Sequence, residues 1–511
     1  MTAIPDNTPV IIGVGQASER PDDPGYRALS HMDLAGEALR EAIADCFAIG
    51  SVASAIDTIA AIRQFENSTP RAQRPFGGSN NPPRSVGRRV GADPARAILE
   101  ISGGQGNQKL VGELATEIAA GRSRVAAIVG AEAISTVLTL TARGETPDWS
   151  EEVEGSLEDR GYGLDGLMDP ALARHGAVGA IPVYALFDNA RRAKLGLSPD
   201  AYRREIGALF APFTEVASQN PHAASREVRS AEELATVTER NRIVAEPYTR
   251  MTVARDQVNQ GAAILIASAG AARELGIPED RWVHIHGVSN AMELTPLRRP
   301  DLAESPASWR SLDAALDIAG RSIADMAFLD FYSCFAIAVF NAIDHFGIAA
   351  DDPRGLTLTG GLPFFGGAGN NYSAHAIVEA VQRLRAMPGS FGLVGANGGV
   401  MSKYASGVYS TAPADWSAGS RWTKLADEQG GLPLAEVATG EASIDSYTFV
   451  PGKGDPLAIV IARNDRRERL VARAMLSEPA LRERFERGDV FGARISVATD
   501  DKGRSTFSLV G

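Results

Sequence analysis

Covalent catalysis near neutral pH needs a thiol, hydroxyl or amine beside a base, and this 511-residue chain offers two cysteines and seven histidines. Cys46 falls on the apolar side of a helix running Leu34, Ala38, Leu39, Ala42, Ile43, Phe47, and reads as packing. Cys334 stands in Phe331-Tyr332-Ser333-Cys334-Phe335, and His375 follows Gly369-Asn370-Asn371 by a little over one helical turn. These two are the candidate catalytic groups; the plainer reading of each is a satisfied core residue. His345, just before Gly347, has the same two readings. His284 and His286 share one strand face without a third ligand, so no metal site is expected.

Two glycine-led segments are the other chemical feature. Gly103-Gly104-Gln105-Gly106-Asn107 and Gly366-Gly367-Ala368-Gly369-Asn370 match at an offset of 263 residues. Each leads into an amphipathic helix and then an apolar strand, ending in Val129-Gly130-Ala131-Glu132 and Val394-Gly395-Ala396-Asn397. A helix starting in this way presents free N–H groups to an oxyanion, and its glycines also allow close packing. Asn370, Asn371 and Asn397 can hold a carbonyl or cap a turn. Gly13-Val14-Gly15-Gln16-Ala17-Ser18 lacks the third glycine of a dinucleotide fingerprint, and a tight turn after a strand at Thr8 to Val14 accounts for its glycines.

The elements that carry these residues form an α/β chain of two related halves. Residues 1–275 make the first, with an irregular, charged insertion at about 140–250, and 276–412 make the second. Beyond Thr411-Ala412-Pro413, a β-rich piece at 413–511 shows four strands and a helix from Ser477 to Arg487, and suggests a small barrel similar to an OB-fold. The net charge of −12 argues against nucleic acid as main partner. The arginines Arg63, Arg71, Arg74, Arg84, Arg88 and Arg89 belong to a solvated loop or contact a ligand's phosphates. No apolar run approaches the ~20 residues of a membrane span, and the start lacks a secretory signal. Two cysteines and no signal lead to an expectation of a reducing cytoplasm.

Four segments, in order, resemble those of the thiolase superfamily, nearest to its sterol-carrier-protein type, and the resemblance covers about 1–412. ILEISGGQGNQKLVGELATEIAAG stands where thiolases carry N-x-x-C-A-S-G and its helix. FYSCF stands on N-E-A-F or H-D-C-F, TGGLPFFGGAGNN on G-G-x-x-x-x-G-H-P-x-G, and GANGGVMSKYASGVYS on the C-x-G segment. The resemblance implies a duplicated thiolase fold, with two βαβαβαββ halves. It also implies an acetyl-CoA acetyltransferase-like relationship, an acyl-CoA thioester as substrate or ligand with no other cofactor, and a homodimer, a monomer being the alternative. By the same resemblance Gly104 takes the place of the nucleophilic cysteine, Gly367 that of the histidine, and Ala396 that of the second cysteine. None of these can attack a thioester or accept a proton, so thiolysis and condensation are expected to be weak or absent. Gly398 keeps the glycine of C-x-G, whose N–H helps form an oxyanion hole in the family. The expected ligand-binding set is Gly104, Gly367, Asn370, Asn371, Asn397 and Gly398. Two alternatives stand beside an acyl-CoA binder: an acyl-transfer or carbon–carbon bond enzyme with a relocated base or nucleophile, and a non-catalytic scaffold or lipid-carrier partner.

Overall fold

The computed structural model describes residues 4–427 and 430–510. The main strands are β1 (Pro9–Glu19), β2 (Thr58–Ile62), β3 (Arg96–Glu100), β4 (Val125–Ala133), β5 (Asn259–Ser268), β6 (Val283–Met292), β7 (Met326–Phe331), β8 (Phe391–Gly398) and β9 (Lys403–Ser410). The barrel strands are β10 (Gly440–Val450), β11 (Leu457–Asn464), β12 (Arg469–Met475), β13 (Arg494–Thr499) and β14 (Ser505–Leu509). The helices used below are α1 (His31–Asp45), α2 (Pro82–Val90), α3 (Gly106–Ala119), α4 (Ala180–Leu195), α5 (Pro199–Gln219), α6 (Pro306–Ala319), α7 (Ala336–Phe346), α8 (Tyr372–Ala386) and α9 (Pro479–Arg487).

The nine main strands run β7-β8-β9-β6-β1-β5-β4-β2-β3 in one mixed sheet, with short strands at Glu158–Asp159 and Trp422–Lys424 added. Its two halves meet at a narrow seam, where β1 and β6 pair only through Val10↔His284 and Ile11↔Val283. The sheet folds at this seam around α3 and α8, which touch each other and strands of both halves. Helix α1 covers the outer face of β1, β4 and β5, and α6 covers β6 and β9. The result is a helix–sheet–helix–sheet–helix stack. Near-continuous apolar strands such as Ala262–Ala267 follow from burial on both faces.

Gly13 and Gly15 are not in a turn. β1 continues through them to Glu19, and α1 lies so close that a Cβ on Gly13 would stand 2.2 Å from the Ala42 carbonyl, and one on Gly15 2.3 Å from that of Ala38. Close helix–strand packing, which a single sequence cannot show, explains both residues. Three of the six arginines of the 63–89 region are paired within the protein. Arg63 binds Asp159, Arg84 donates to the Ser156 carbonyl, and Arg89 bridges Asp33 and Glu151, so they fasten the 148–160 segment over α1 and α2.

The barrel closes in the order β10-β11-β12-β14-β13, five strands where four are expected. The fifth, Ser-Thr-Phe-Ser-Leu, is short and mostly polar, and pairs with β13 across the Asp500–Gly503 turn. Phe485 of α9 fills one end of the barrel against Tyr447. The barrel rests on the inserted segment. Arg192 Nη2 of α4 donates to Tyr447 Oη at 2.9 Å, Thr448 Oγ1 to the Glu246 carbonyl at 2.7 Å, and the Ser505 N–H to His175 Nε2 at 2.7 Å.

Candidate functional site

The two glycine-led segments face each other at the starts of α3 and α8. The Gly103 N–H donates to Asn370 Oδ1 at 2.9 Å, and Asn107 Nδ2 donates to Ser373 Oγ at 3.2 Å. Ser373 Oγ in turn donates to the Gly104 carbonyl. Asn370 Nδ2 is used as well, on the Arg63 carbonyl at 2.8 Å and Ser68 Oγ at 2.9 Å. Asn371 Nδ2 donates to the Gly130 carbonyl at 2.7 Å. Asn370 and Asn371 therefore tie the two helix starts and the end of β4 into one rigid unit.

Gly104 and Gly367 differ sharply in the space around them. A Cβ on Gly104 would lie 2.3 Å from Tyr332 Oη and 2.5 Å from the Asn397 carbonyl. Its place is taken by a phenol hydroxyl. A Cβ on Gly367 would meet its nearest neighbours, Leu362, Arg255 and Ala254, at 3.4–3.7 Å, ordinary contact distances. Gly398 packs on the first segment: a Cβ there would be 3.0 Å from the Gly104 nitrogen and 1.9 Å from Gln105 Oε1. Tyr332 is half-buried at the end of β7, its ring edge-on to Tyr372 with centroids 5.2 Å apart.

The inserted segment supplies the remaining wall. Tyr184 of α4 stacks on Phe335 at 4.2 Å. Its hydroxyl donates to the Gly399 carbonyl at 3.2 Å and accepts from the Met401 N–H at 3.1 Å and Asn397 Nδ2 at 3.0 Å. Cys334 Sγ lies 3.7 Å from Asn397 Nδ2, and burial pushes its thiol up to about 12. The thiolate needed for nucleophilic attack is thus scarce at neutral pH. His375 is wholly buried on α8, with Nδ1 2.6 Å from Gln16 Oε1 and its ring against Phe365. Burial pulls it down to about 3, so it stays neutral. Cys334 faces Asn397 and His375 faces Gln16; the contacts of the two do not overlap.

Two other groups near the segments titrate near neutrality. Glu132, at the end of β4, is pushed by burial up to about 8; its Oε1 accepts from the Phe65 N–H at 2.7 Å and lies against Gly369. Lys403 is pulled down to about 8, again by burial, and donates to the carbonyls of Ser102, at 3.0 Å, and Gly163. A cavity of about 20 Å³, lined among others by Tyr332, Ala396, Asn397 and Tyr404, lies beside the site. Tyr184 and Ser373 carry no sequence signal of their own, each reading as part of a helical run, and Gln105 and Glu132 stand inside the repeated segments with nothing in the pattern to single them out.

Compared with solved structures, the chain is 41% identical to the monomeric SCP2-thiolase-like protein type 1 from Mycobacterium smegmatis, covering 99% of this chain and 100% of that chain at a TM-score of 0.83. The chain belongs to the SCP2-thiolase-like proteins. More distant likenesses bear on the fold alone. The Ltp2–ChsH2(DUF35) aldolase is 17% identical over 80% of this chain and 98% of that chain, with a TM-score of 0.58. The acetyl-CoA acetyltransferase of Syntrophomonas wolfei is 16% identical over 79% and 99%, with a TM-score of 0.54. No family model and no curated protein matches. The thiolase-like fold and the terminal barrel of this SCP2-thiolase-like chain are thus as the sequence leads one to expect. Among the described residues, no helix is long and apolar enough to cross a membrane.

Proposed function

We propose that this SCP2-thiolase-like protein binds acyl-CoA thioesters without forming an acyl-enzyme. The observation that carries this reading is the seat beside Gly104. In the resemblance that seat belongs to the attacking sulfur, and here the Tyr332 hydroxyl and the Asn397 carbonyl fill it. A phenol there can donate a hydrogen bond to a thioester carbonyl but is a poor nucleophile, because burial raises its pKa further above neutrality. The backbone of Gly398 packs on the Gly104 nitrogen beside it, and a backbone N–H so placed is suited to a carbonyl oxygen. Cys334 and His375 enter this reading as wall groups, each held by a different neighbour.

Thermal unfolding with and without acetyl-CoA, followed by intact-mass measurement of the same samples, tests it. Stabilisation at saturating ligand with an unchanged protein mass is expected; ligand at ~100 times Kd adds about 2.7 kcal/mol. A stable acyl adduct on the chain, or no stabilisation by any CoA compound, refutes the reading.

A further inference from the structure

The turn from β8 to β9 carries Gly398 and is strained. Gly399 and Met401 both lie in the left-handed region, at φ of 66° and 56°, and the Met401 side chain is fully buried. A non-glycine residue keeps such a backbone only where its surroundings over-determine it. Two side chains do so here. Tyr184 binds the Gly399 carbonyl and the Met401 N–H. Arg299 takes the next two carbonyls, its Nη2 donating to Val400 at 3.0 Å and to Met401 at 2.7 Å. Arg299 is 1% exposed and pairs with no carboxylate among the described residues, a costly arrangement for a charge. The barrel reaches both holders. Arg469 of β12, 2% exposed, donates through Nη1 to the Arg299 carbonyl at 2.6 Å. The Arg299 guanidinium lies 4.6 Å over Phe187 of α4, the helix that carries Tyr184 and packs on β10. Ile459, Ile461 and Val471 of the barrel are buried in one cluster with Phe187, Val400 and Met401.

A turn that needs outside support responds to whatever positions that support. We propose that Arg299 and Arg469 are positioning residues that couple barrel docking to the Gly398 turn, so that docking and acyl-CoA binding beside Gly104 strengthen each other. The ligand half rests on the acyl-CoA-binding reading above and adds its regulation; the coupling of barrel to turn stands without it. With the barrel docked, Arg299 is held and the turn keeps its left-handed pair. With the barrel released, the turn relaxes and the Gly398 backbone leaves its place against the Gly104 nitrogen. Linkage requires the reverse as well: a ligand that binds only the formed turn favours the docked barrel by the same factor.

Hydrogen exchange of the full chain tests both halves. The Glu246 N–H, which donates to the Phe449 carbonyl at 3.1 Å across the docking face, reports undocking, and the Met401 N–H reports the turn. Leu114, in the middle of α3, is the reference for global opening. Arg469→Met keeps the side-chain stem and leaves Asp445 its Arg463 partner. It is expected to speed exchange at Met401 ~10-fold or more relative to Leu114, and to weaken acetyl-CoA binding by a like factor. In the parent, saturating acetyl-CoA is expected to slow Glu246 ~10-fold, a response that packing at the turn alone does not give. Unchanged Met401 exchange in a variant whose Glu246 exchanges faster overturns the proposal. Acetyl-CoA that binds without slowing Glu246 overturns its ligand half. If Arg469→Met does not fold, the parent in urea below its transition decides: Met401 and Glu246 opening with one urea dependence supports the coupling, and Met401 opening apart from Glu246 overturns it. If acetyl-CoA binds neither protein, the acyl-CoA reading and the ligand half fall together, while exchange at Met401 still judges the coupling of barrel to turn.

Discussion

Replacing Gly104 by alanine adds one methyl group to the most crowded point of the candidate site. That methyl carbon would stand 2.3 Å from Tyr332 Oη, 2.6 Å from Tyr332 Cζ and 2.5 Å from the Asn397 carbonyl, all well inside contact distance. The phenol can yield, since its hydroxyl is unbonded and its ring is only half-buried. The carbonyl cannot yield as easily: Asn397 belongs to β8, held between β7 and β9 and paired opposite Tyr404 of β9. Overpacking of this kind costs about 1–3 kcal/mol, and the rigid carbonyl puts Gly104→Ala near ~2 kcal/mol or above. Gly367→Ala is the matched control; with neighbours at 3.4 Å or more and no positive φ, it is expected to be neutral or stabilising by up to ~1 kcal/mol. Tyr332→Ala should relieve part of the Gly104→Ala cost in a double-mutant cycle, leaving the share due to Asn397. Tyr332→Phe should relieve little, because Cζ itself is within 2.6 Å. Urea unfolding midpoints at constant slope measure the parent and each of these variants. If Gly104→Ala lies within ~0.5 kcal/mol of the parent, the seat is not filled and the case against an acyl-enzyme loses its basis.

Burial pushes both Cys46 and Cys334 up to about 12, so neither should react with a disulfide reagent within minutes at pH 7.5, and both should in urea; fast labelling of Cys334 in the native protein contradicts this. His175 uses Nδ1 on the Ala171 carbonyl at 2.7 Å and accepts the Ser505 N–H at Nε2, which requires the neutral ring; its pKa is lowered, chiefly by burial. The unfolded chain then binds the extra proton, so this contribution is complete above about pH 6.5 and is lost as pH falls from there through the folded value. Faster amide exchange at Ser505 at pH 5 than base-catalysed exchange alone allows is the expected sign, and an unchanged protection factor would contradict it. Glu132 has the opposite sense: with a folded value of about 8 it is protonated in the native state at pH 7, and its contribution declines as pH rises from about 4.5 to 8. Glu132→Gln removes the ionisable group and should stabilise the protein at pH 7 by about 1–3 kcal/mol, an advantage that vanishes at pH 4; equal gains at both pH values would dismiss the assignment.

The sequence makes the duplicated core legible because the repeat is local. Glycines at 103–106 and 366–369 start two helices, and the strand after each is apolar enough to be recognised without its neighbours. What distant packing decides is not legible. The glycines of β1 look like a turn until α1 is laid across them. Tyr332 reads as one more residue in an apolar segment, although its hydroxyl ends where a side chain at 104 would begin. Tyr184 reaches the site from an insertion some 200 residues from Asn397 in sequence, and a polar five-residue strand closes the barrel only because β13 offers it a partner.

The barrel is fastened to the inserted segment by polar contacts of Arg192, Thr448 and His175 and by Ile459, Ile461 and Val471, which are buried in one apolar cluster with Val183, Leu186 and Phe187. Being part of the same chain changes how good that interface has to be. A covalent connection, pinned to the sheet at Trp422–Lys424, holds the two surfaces at an effective concentration of at least about 1 mM, so even a contact with a two-chain Kd of ~10 µM would stay ~99% closed. Cut at the 411–439 connection, the same surfaces would dissociate on dilution into the nanomolar range. Covalent continuity thus lets the docking surface drift in sequence while the barrel stays in place, a latitude that a separate subunit performing the same service would not have.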